Sequence, residues 1–244
     1  IMLNALKTNA SFLLTCCIAA AATPAQATVA QAPLLLGGGN VPGNLALVPS
    51  VEFPTVISVA NVSNTYRHSD TYTGYFDSEK CYEYNRQQIT HIYFGAISGN
   101  DGGGYFTPTR WSRTCNGAKE WSGNYLNWAT TQTIDPFRMA LTGGYRAVDT
   151  ATQTILEKAT RASRASYFPN RSVTGNTTLT NISPYTSGTL SSSVTSANGS
   201  VSAAIQDYQR NKTLRITNGT STAYFSVRVE AVSYTHLRAH ETDS

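Results

Sequence analysis

Residues 51–62 alternate and are rich in β-branched side chains, which predicts one or two strands broken at Pro54. Residues 70–84 are dense in aromatics: Tyr72, Tyr75, Phe76, Tyr82 and Tyr84. Residues 89–96 read as a strand, 98–104 as a turn, and 105–111 as a returning strand interrupted by Pro108, so a hairpin is expected. The period then changes. Ser122 or Asn124 caps a predicted helix running to about Thr131. On it Tyr125 and Trp128, and Leu126 and Ala129, stand three apart and form one broad apolar face. Asp135-Pro136 opens a second predicted helix, with Phe137, Met139, Ala140 and Leu141 on its buried side and Gly143-Gly144 at its end. A third is expected from Asp149 or Thr150. It would turn Ile155, Leu156 and Ala159 inward, and Glu157, Lys158, Arg161 and Arg164 to water.

The pattern is lost after Ser172. Of the 33 residues in 172–204, 16 are Ser or Thr, which fits either a flexible linker or short, twisted surface strands. Seven Asn-X-Ser/Thr triplets beyond residue 27, for example at Asn176 and Asn218, are what a composition of this kind generates and imply no glycosylation. Residues 213–217, the pair Asn218-Gly219 and residues 223–231 predict a second hairpin, with Phe225, Val227 and Val229 alternating with polar residues. The stretch 121–129 stands at the centre of this arrangement. It holds two of the three tryptophans, and Trp121, Tyr125, Leu126 and Trp128 are its expected core residues.

The first residues change the picture of where the protein resides. Lys7, an apolar run over 12–22 and Ala25-Gln26-Ala27 read as a secretory signal peptide cut after Ala27. The run is too short for a transmembrane anchor. Cys16 and Cys17 lie inside it. A lipoprotein with Cys16 acylated is a weaker alternative, because Thr15 precedes it. Cleavage leaves Cys81 and Cys115, whose even count in an exported chain implies one disulfide; two buried free thiols are the alternative. Closing that loop contributes about 3–4 kcal/mol. Low charge, 13% of residues, and abundant Ser, Thr, Asn, Gly and Tyr also suit an extracellular protein. No run of Lys/Arg reaches three, so the net charge of +4 does not point to nucleic acid.

Chemistry is sparse. The run Gly37-Gly38-Gly39 lacks the Gly-Lys-Ser/Thr ending of a phosphate loop, and Asn100-Asp101 is far short of a calcium loop. His236, His240 and Glu241 have a metal-like spacing, but they lie in a tail, 232–244, that reads as a translated adapter. His68 and His91 then remain as lone histidines, and the carboxylates form no acid/base pair. Neither a catalytic residue nor a cofactor or metal ligand is assigned. The expected fold class is α+β. The layout is a signal peptide (1–27), a Gly/Pro-rich linker (28–50), a small Cys-stapled mixed α/β region with short helices (51–170), a Ser/Thr-rich β region (171–231) and the tail (232–244).

Several blocks occur in a defined order: Gly74-Tyr-Phe-Asp-Ser-Glu-Lys-Cys-Tyr82, Tyr105-Phe-Thr-Pro108, Cys115, Trp121-Ser-Gly-Asn-Tyr-Leu-Asn-Trp-Ala129, Gly143-Gly144 and Ile155-Leu-Glu157. With them, the chain from about Pro33 to Glu157 resembles the N-terminal part of the type IV pilus tip-associated biogenesis proteins, the PilY/PilC family. The resemblance implies an exported protein of the periplasm, cell surface and pilus, acting in pilus assembly and adhesion. Its implied partners are pilus components and host or abiotic surfaces. It also implies a longer parent, of which this chain would be an N-terminal fragment, with calcium expected only in a C-terminal part. Asp-x-Ser-x-Ser, the metal motif of many members, is lacking here, so that site is not carried over. The alternative readings are a secreted carbohydrate-binding or other surface-binding module using surface Tyr and Trp, and, more weakly, a secreted hydrolase.

Overall fold

The computed structural model describes residues 58–91, 95–97, 103–159, 168–195 and 211–231. The segments expected to be a leader (1–27), a linker (28–50) and an adapter tail (232–244), and Asn100-Asp101, Arg161 and Arg164, lie outside the described residues. Three sheets and three short helices are present among the described residues. The mixed α/β class expected from sequence holds.

The strands are β1 (Lys80–Asn85), β2 (Ile89–His91), β3 (Gly95–Ile97), β4 (Tyr105–Trp111), β5 (Glu120–Ser122), β6 (Arg146–Asp149), β7 (Thr154–Glu157), β8 (Arg171–Thr174), β9 (Thr189–Thr195), β10 (Thr213–Asn218), β11 (Ser221–Ser226) and β12 (Arg228–Ala231). The helices are α1 (Gly123–Thr130), α2 (Ile134–Thr142) and α3 (Asn176–Ile182). A six-stranded sheet runs β5-β1-β4-β12-β7-β6, a four-stranded sheet β11-β10-β9-β8, and β2 and β3 pair alone. β12 lies parallel to β4 and antiparallel to β7. At Val227 the chain leaves the four-stranded sheet for the six-stranded one, and both sheets contribute to one apolar core.

The hairpin expected over 89–111 is not formed as read. β2 pairs with β3, whereas β4 pairs with β1 and β12. Pro108 does not break β4. Tyr82 faces Pro108 and Cys81 faces Arg110, so Thr109 is the extra residue of a bulge. A bulge is one of the few places a proline fits within a sheet. Of the strands expected over 51–62, the described part holds only an isolated bridge from Val59 to Gln132.

Ser122 caps α1, accepting a hydrogen bond from Tyr125 N, and the helix ends at Thr130. It is buried on every side rather than on one face. α2 also ends as expected, with Gly143 at φ 74° and the N–H groups of Gly143 and Gly144 returning to Met139 and Arg138. Its buried side differs from the expected one. Ile134 and Asp135 are buried, while Phe137, Met139 and Leu141 are 53%, 42% and 45% exposed. Asp135 is held inside by the Gln132 and Ala159 amides, which rotates the Phe137 side outward.

In place of the third helix stands the β6–β7 hairpin. Thr150 N–H bonds to Gln153 O and Thr150 Oγ1 accepts from Gln153 N, closing the turn. Thr150, Thr152, Thr154 and Ile155 are β-branched, and that local preference outweighs the helical spacing. Glu157 and Lys158, expected in water, are buried. The Ser/Thr-rich stretch forms β8, α3 and β9, with Leu190, Ser192 and Val194 pointing inward in strict alternation. The second hairpin forms with Gly219 at φ 59° in its turn, although Asn218 stays in β10, paired with Ser221.

Candidate functional site

The aromatic stretch builds the centre. Trp121 stacks on Tyr125 at 6.2 Å, Tyr66 meets Trp128 edge-on at 5.5 Å, and Phe225 meets Trp121 at 5.2 Å. Trp121, Tyr125, Leu126 and Trp128 are all buried. The Trp128 indole donates to Ser63 O at 2.8 Å, so the ring is satisfied as well as enclosed. Burial pushes the Tyr125 hydroxyl well above its ordinary pKa.

Two asparagines of α1 tie the loop before β1 to the helix. Asn124 Oδ1 accepts from Tyr72 N at 2.8 Å, and its amide donates to Asp70 O at 2.7 Å. Asn127 Oδ1 accepts from Phe76 N at 3.1 Å, and Nδ2 donates to Tyr72 O at 2.9 Å and Phe76 O at 2.7 Å. The loop therefore has its backbone polar groups met by side chains of a helix, as burial requires. Two glycines make the approach possible. A Cβ on Gly74 would stand 2.1 Å from Asn127 Oδ1, and one on Gly123 2.1 Å from Asp77 O. The two motif blocks, 74–82 and 121–129, are thus each other's contacts.

Cys81 and Cys115 form a disulfide, with Cα atoms 5.4 Å apart. Beside it Arg113 fans across the turn at 68–71, donating to Ser69 O, Asp70 O and Thr71 Oγ1, and pairs with Glu79 at 2.8 Å. Arg110 and Glu120 pair at 2.8 Å, and those hydrogen bonds hold the Glu120 carboxyl below the usual range. Directly across from Lys80, Trp111 is 72% exposed, with the Lys80 ammonium 4.0 Å from its ring centre.

Sequence reasoning missed the buried charges. Arg171 donates to Trp128 O, a carbonyl of the last turn of α1, and to Asn61 O, with its guanidinium 4.7 Å from the Trp128 ring. The first of these is an orphan carbonyl at the negative end of the helix, and burial lowers Arg171 to about 10. Glu157 accepts from Arg228 Nε at 2.7 Å and Lys212 Nζ at 2.9 Å. Lys158 lies 3.6 Å from Asp135 and donates to Gln132 Oε1. Only a fixed partner makes such burial tolerable, and no spacing rule marks partners this far apart in the chain.

His68 sits beside the Tyr66 hydroxyl at 3.3 Å and is lowered by burial and by Arg113. Among the described residues no group of three or more His, Cys, Asp and Glu is placed to hold a metal. Nor is any described helix long and apolar enough to cross a membrane.

A small mixed α/β domain stapled by one disulfide and latched by buried asparagines is the class these features define. The family described as "PilY1 homolog, small alpha/beta domain" matches residues 63–217, and the chain belongs to it. One relative, a type IV pilus biogenesis factor PilY1 homolog of Xylella fastidiosa, is 49% identical over 150 residues, covering 60% of this chain and 12% of the relative. A second protein of that name and organism is 42% identical over 99 residues, covering 41% of this chain and 5% of the relative. The chain thus corresponds to a small part of the relatives' length. No solved structure matches it.

Proposed function

We propose that this chain belongs to an exported cell-surface protein of type IV pilus assembly and adhesion, in which the domain is a structural, non-catalytic part. One observation carries the reading. The two blocks that carry the resemblance, 74–82 and 121–129, meet each other through Asn127, Gly74 and Gly123, which supports a role in securing a shape. The disulfide and the leader-like first 27 residues support export. Pilus components are the expected partners, with host or abiotic surfaces contacted through the pilus. In-frame deletion of residues 58–231 from the parent gene tests this. Loss of piliation, twitching or attachment is expected, and unchanged values for all three would overturn it.

Trp111 favours a second reading, a carbohydrate-binding surface, because one exposed indole face is a stacking platform for sugar rings. A glycan array separates the two. A reproducible glycan preference lost in Trp111→Ala supports the second, and no preference supports the first.

A further inference from the structure

Gln132 lies in the turn between α1 and α2, Asp135 in the first turn of α2, and Lys158 just beyond β7. All three side chains are inaccessible to water. Lys158 Nζ donates to Gln132 Oε1, and Asn211 Nδ2 donates to the same oxygen at 2.8 Å. Both donors polarise the carbonyl carbon of that amide, and Asn211 is placed to hold the charge that attack by Lys158 would create on the oxygen. The other end of that amide is the opposite case: Gln132 Nε2 is buried and has no partner among the described residues. Asp135 Oδ2 stands 3.6 Å from Lys158 Nζ, and the carboxylate is fixed by Gln132 N at 3.2 Å and Ala159 N at 2.8 Å. The Val59 bridge fixes the backbone of Gln132.

We propose that Lys158 and Gln132 become joined by an intramolecular isopeptide bond, an amide between Lys158 Nζ and Gln132 Cδ, with Asp135 as the proton carrier. The ammonium of Lys158 gives one proton to Asp135 and attacks Cδ as a neutral amine. The Nζ–Cδ bond forms while Lys158 and Asn211 donors give way to a lone Asn211 donor on the oxygen. The Cδ–Nε2 bond then breaks. The departing nitrogen takes the second Nζ proton and the proton held by Asp135, and leaves as ammonium. The products are one secondary amide, the Asp135 carboxylate and ammonium, so atoms and charge balance with no oxidant or outside reactant. Burial lowers Lys158 to about 8, with Asp135 opposing and the like charges of Lys212 and Arg138 adding to the fall, so the neutral amine is accessible near neutral pH.

A plain buried ion pair accounts for less. The Lys158–Asp135 pair, 3.6 Å apart, leaves Nε2 orphaned in the core. The cross-link expels that orphan nitrogen and replaces a buried ammonium by an amide. Asp135 keeps its two backbone donors. The bond also ties β7 to the α1–α2 turn. It stands or falls independently of the pilus reading.

The test is the intact mass of the full chain under denaturing conditions, after the Cys81–Cys115 disulfide and protease resistance have established that it is folded. The expected mass is lower than that of the oxidised sequence by one molecule of ammonia. A proteolytic map should contain the peptides of Gln132 and Lys158 joined, with no tryptic cut after Lys158. Lys158→Met and Asp135→Asn should each restore the unmodified mass. Folded parent chain at the unmodified mass would overturn the proposal. So would an ammonia loss mapped elsewhere, such as a succinimide at Asn218-Gly219. Because the parent chain alone decides between these outcomes, a variant that fails to fold does not affect the result.

Discussion

Asn127→Asp and Asn127→Leu together separate hydrogen bonding from shape at the latch between α1 and the loop before β1. Aspartate keeps the volume and leucine the branched outline of the side chain, so a purely packing role predicts the smaller effect for aspartate. The hydrogen bonds predict otherwise. Leucine orphans Phe76 N and Phe76 O, which have only Asn127 as partner among the described residues, whereas Tyr72 O keeps the Ser78 hydroxyl at 2.7 Å. Two buried groups at about 1–3 kcal/mol each give a loss of about 2–6 kcal/mol. Aspartate keeps the acceptor facing Phe76 N. Its second oxygen, however, replaces the donor that lies 2.7 Å from Phe76 O, so two acceptors face each other. A buried charge without a counter-ion adds to that cost. Aspartate should therefore cost at least as much as leucine, despite its closer shape. Urea unfolding of the oxidised chain, followed by tryptophan fluorescence, measures both. The order would be refuted if Asn127→Asp were within about 0.5 kcal/mol of the parent, the range of inconsequential surface changes.

Trp128→Ala should cost about 3–5 kcal/mol in the same assay, because it empties the centre of the core and strips Arg171 of its stacking partner. Replacing both Cys81 and Cys115 by alanine should cost about 3–4 kcal/mol, from the loop that the disulfide closes. A carboxyl held down in the folded state stabilises the fold above its unfolded pKa, and that contribution is lost as the pH falls through the folded value. Arg110→Met should therefore flatten the acid side of the stability–pH profile through Glu120, by an amount that shrinks with added salt. Phe137→Ser should change the unfolding midpoint little, since that residue is already 53% exposed, and a large loss would show that α2 is packed differently.

What the sequence made legible was local. The Ser122 cap, the Gly143-Gly144 stop and the turn at Gly219 follow from residues a few positions apart, where geometry is fixed by the chain itself, whereas the alternation expected through Phe225, Val227 and Val229 does not hold, because Ser226 and Arg228 are buried too as the chain passes from one sheet to the other. Expectation and structure part where two signals compete or where partners are distant. Ile155, Leu156 and Ala159 have helical spacing, yet the threonines around them prefer strands. Phe137, Met139 and Leu141 look like a core face, but the orientation of α2 is set by Asp135, whose partners at Gln132, Lys158 and Ala159 no periodicity reveals. Glu157 reads as solvated because charge normally means surface; its burial depends on Lys212 and Arg228, more than 50 residues away. The pairing of β4 with β1 rather than with the nearer 89–97 segment is of the same kind, a choice among strands that only tertiary packing makes.

The same distinction bears on where partner recognition resides. The two most specific blocks of the sequence, 74–82 and 121–129, are accounted for by each other: Gly74 and Gly123 admit close approach, Asn124 and Asn127 read backbone groups, and the tyrosines and tryptophans fill the space between. Residues used this way are unavailable to a partner. Among the described residues the exposed large hydrophobic side chains are Val62, Trp111 on β4, and Phe137, Met139 and Leu141 on α2, all outside those two blocks. Their exposure costs stability that the fold does not recover. Partner binding is therefore to be sought by substitution at those positions, with the stability of each variant held equal to the parent, and not within the motifs by which the domain is recognised.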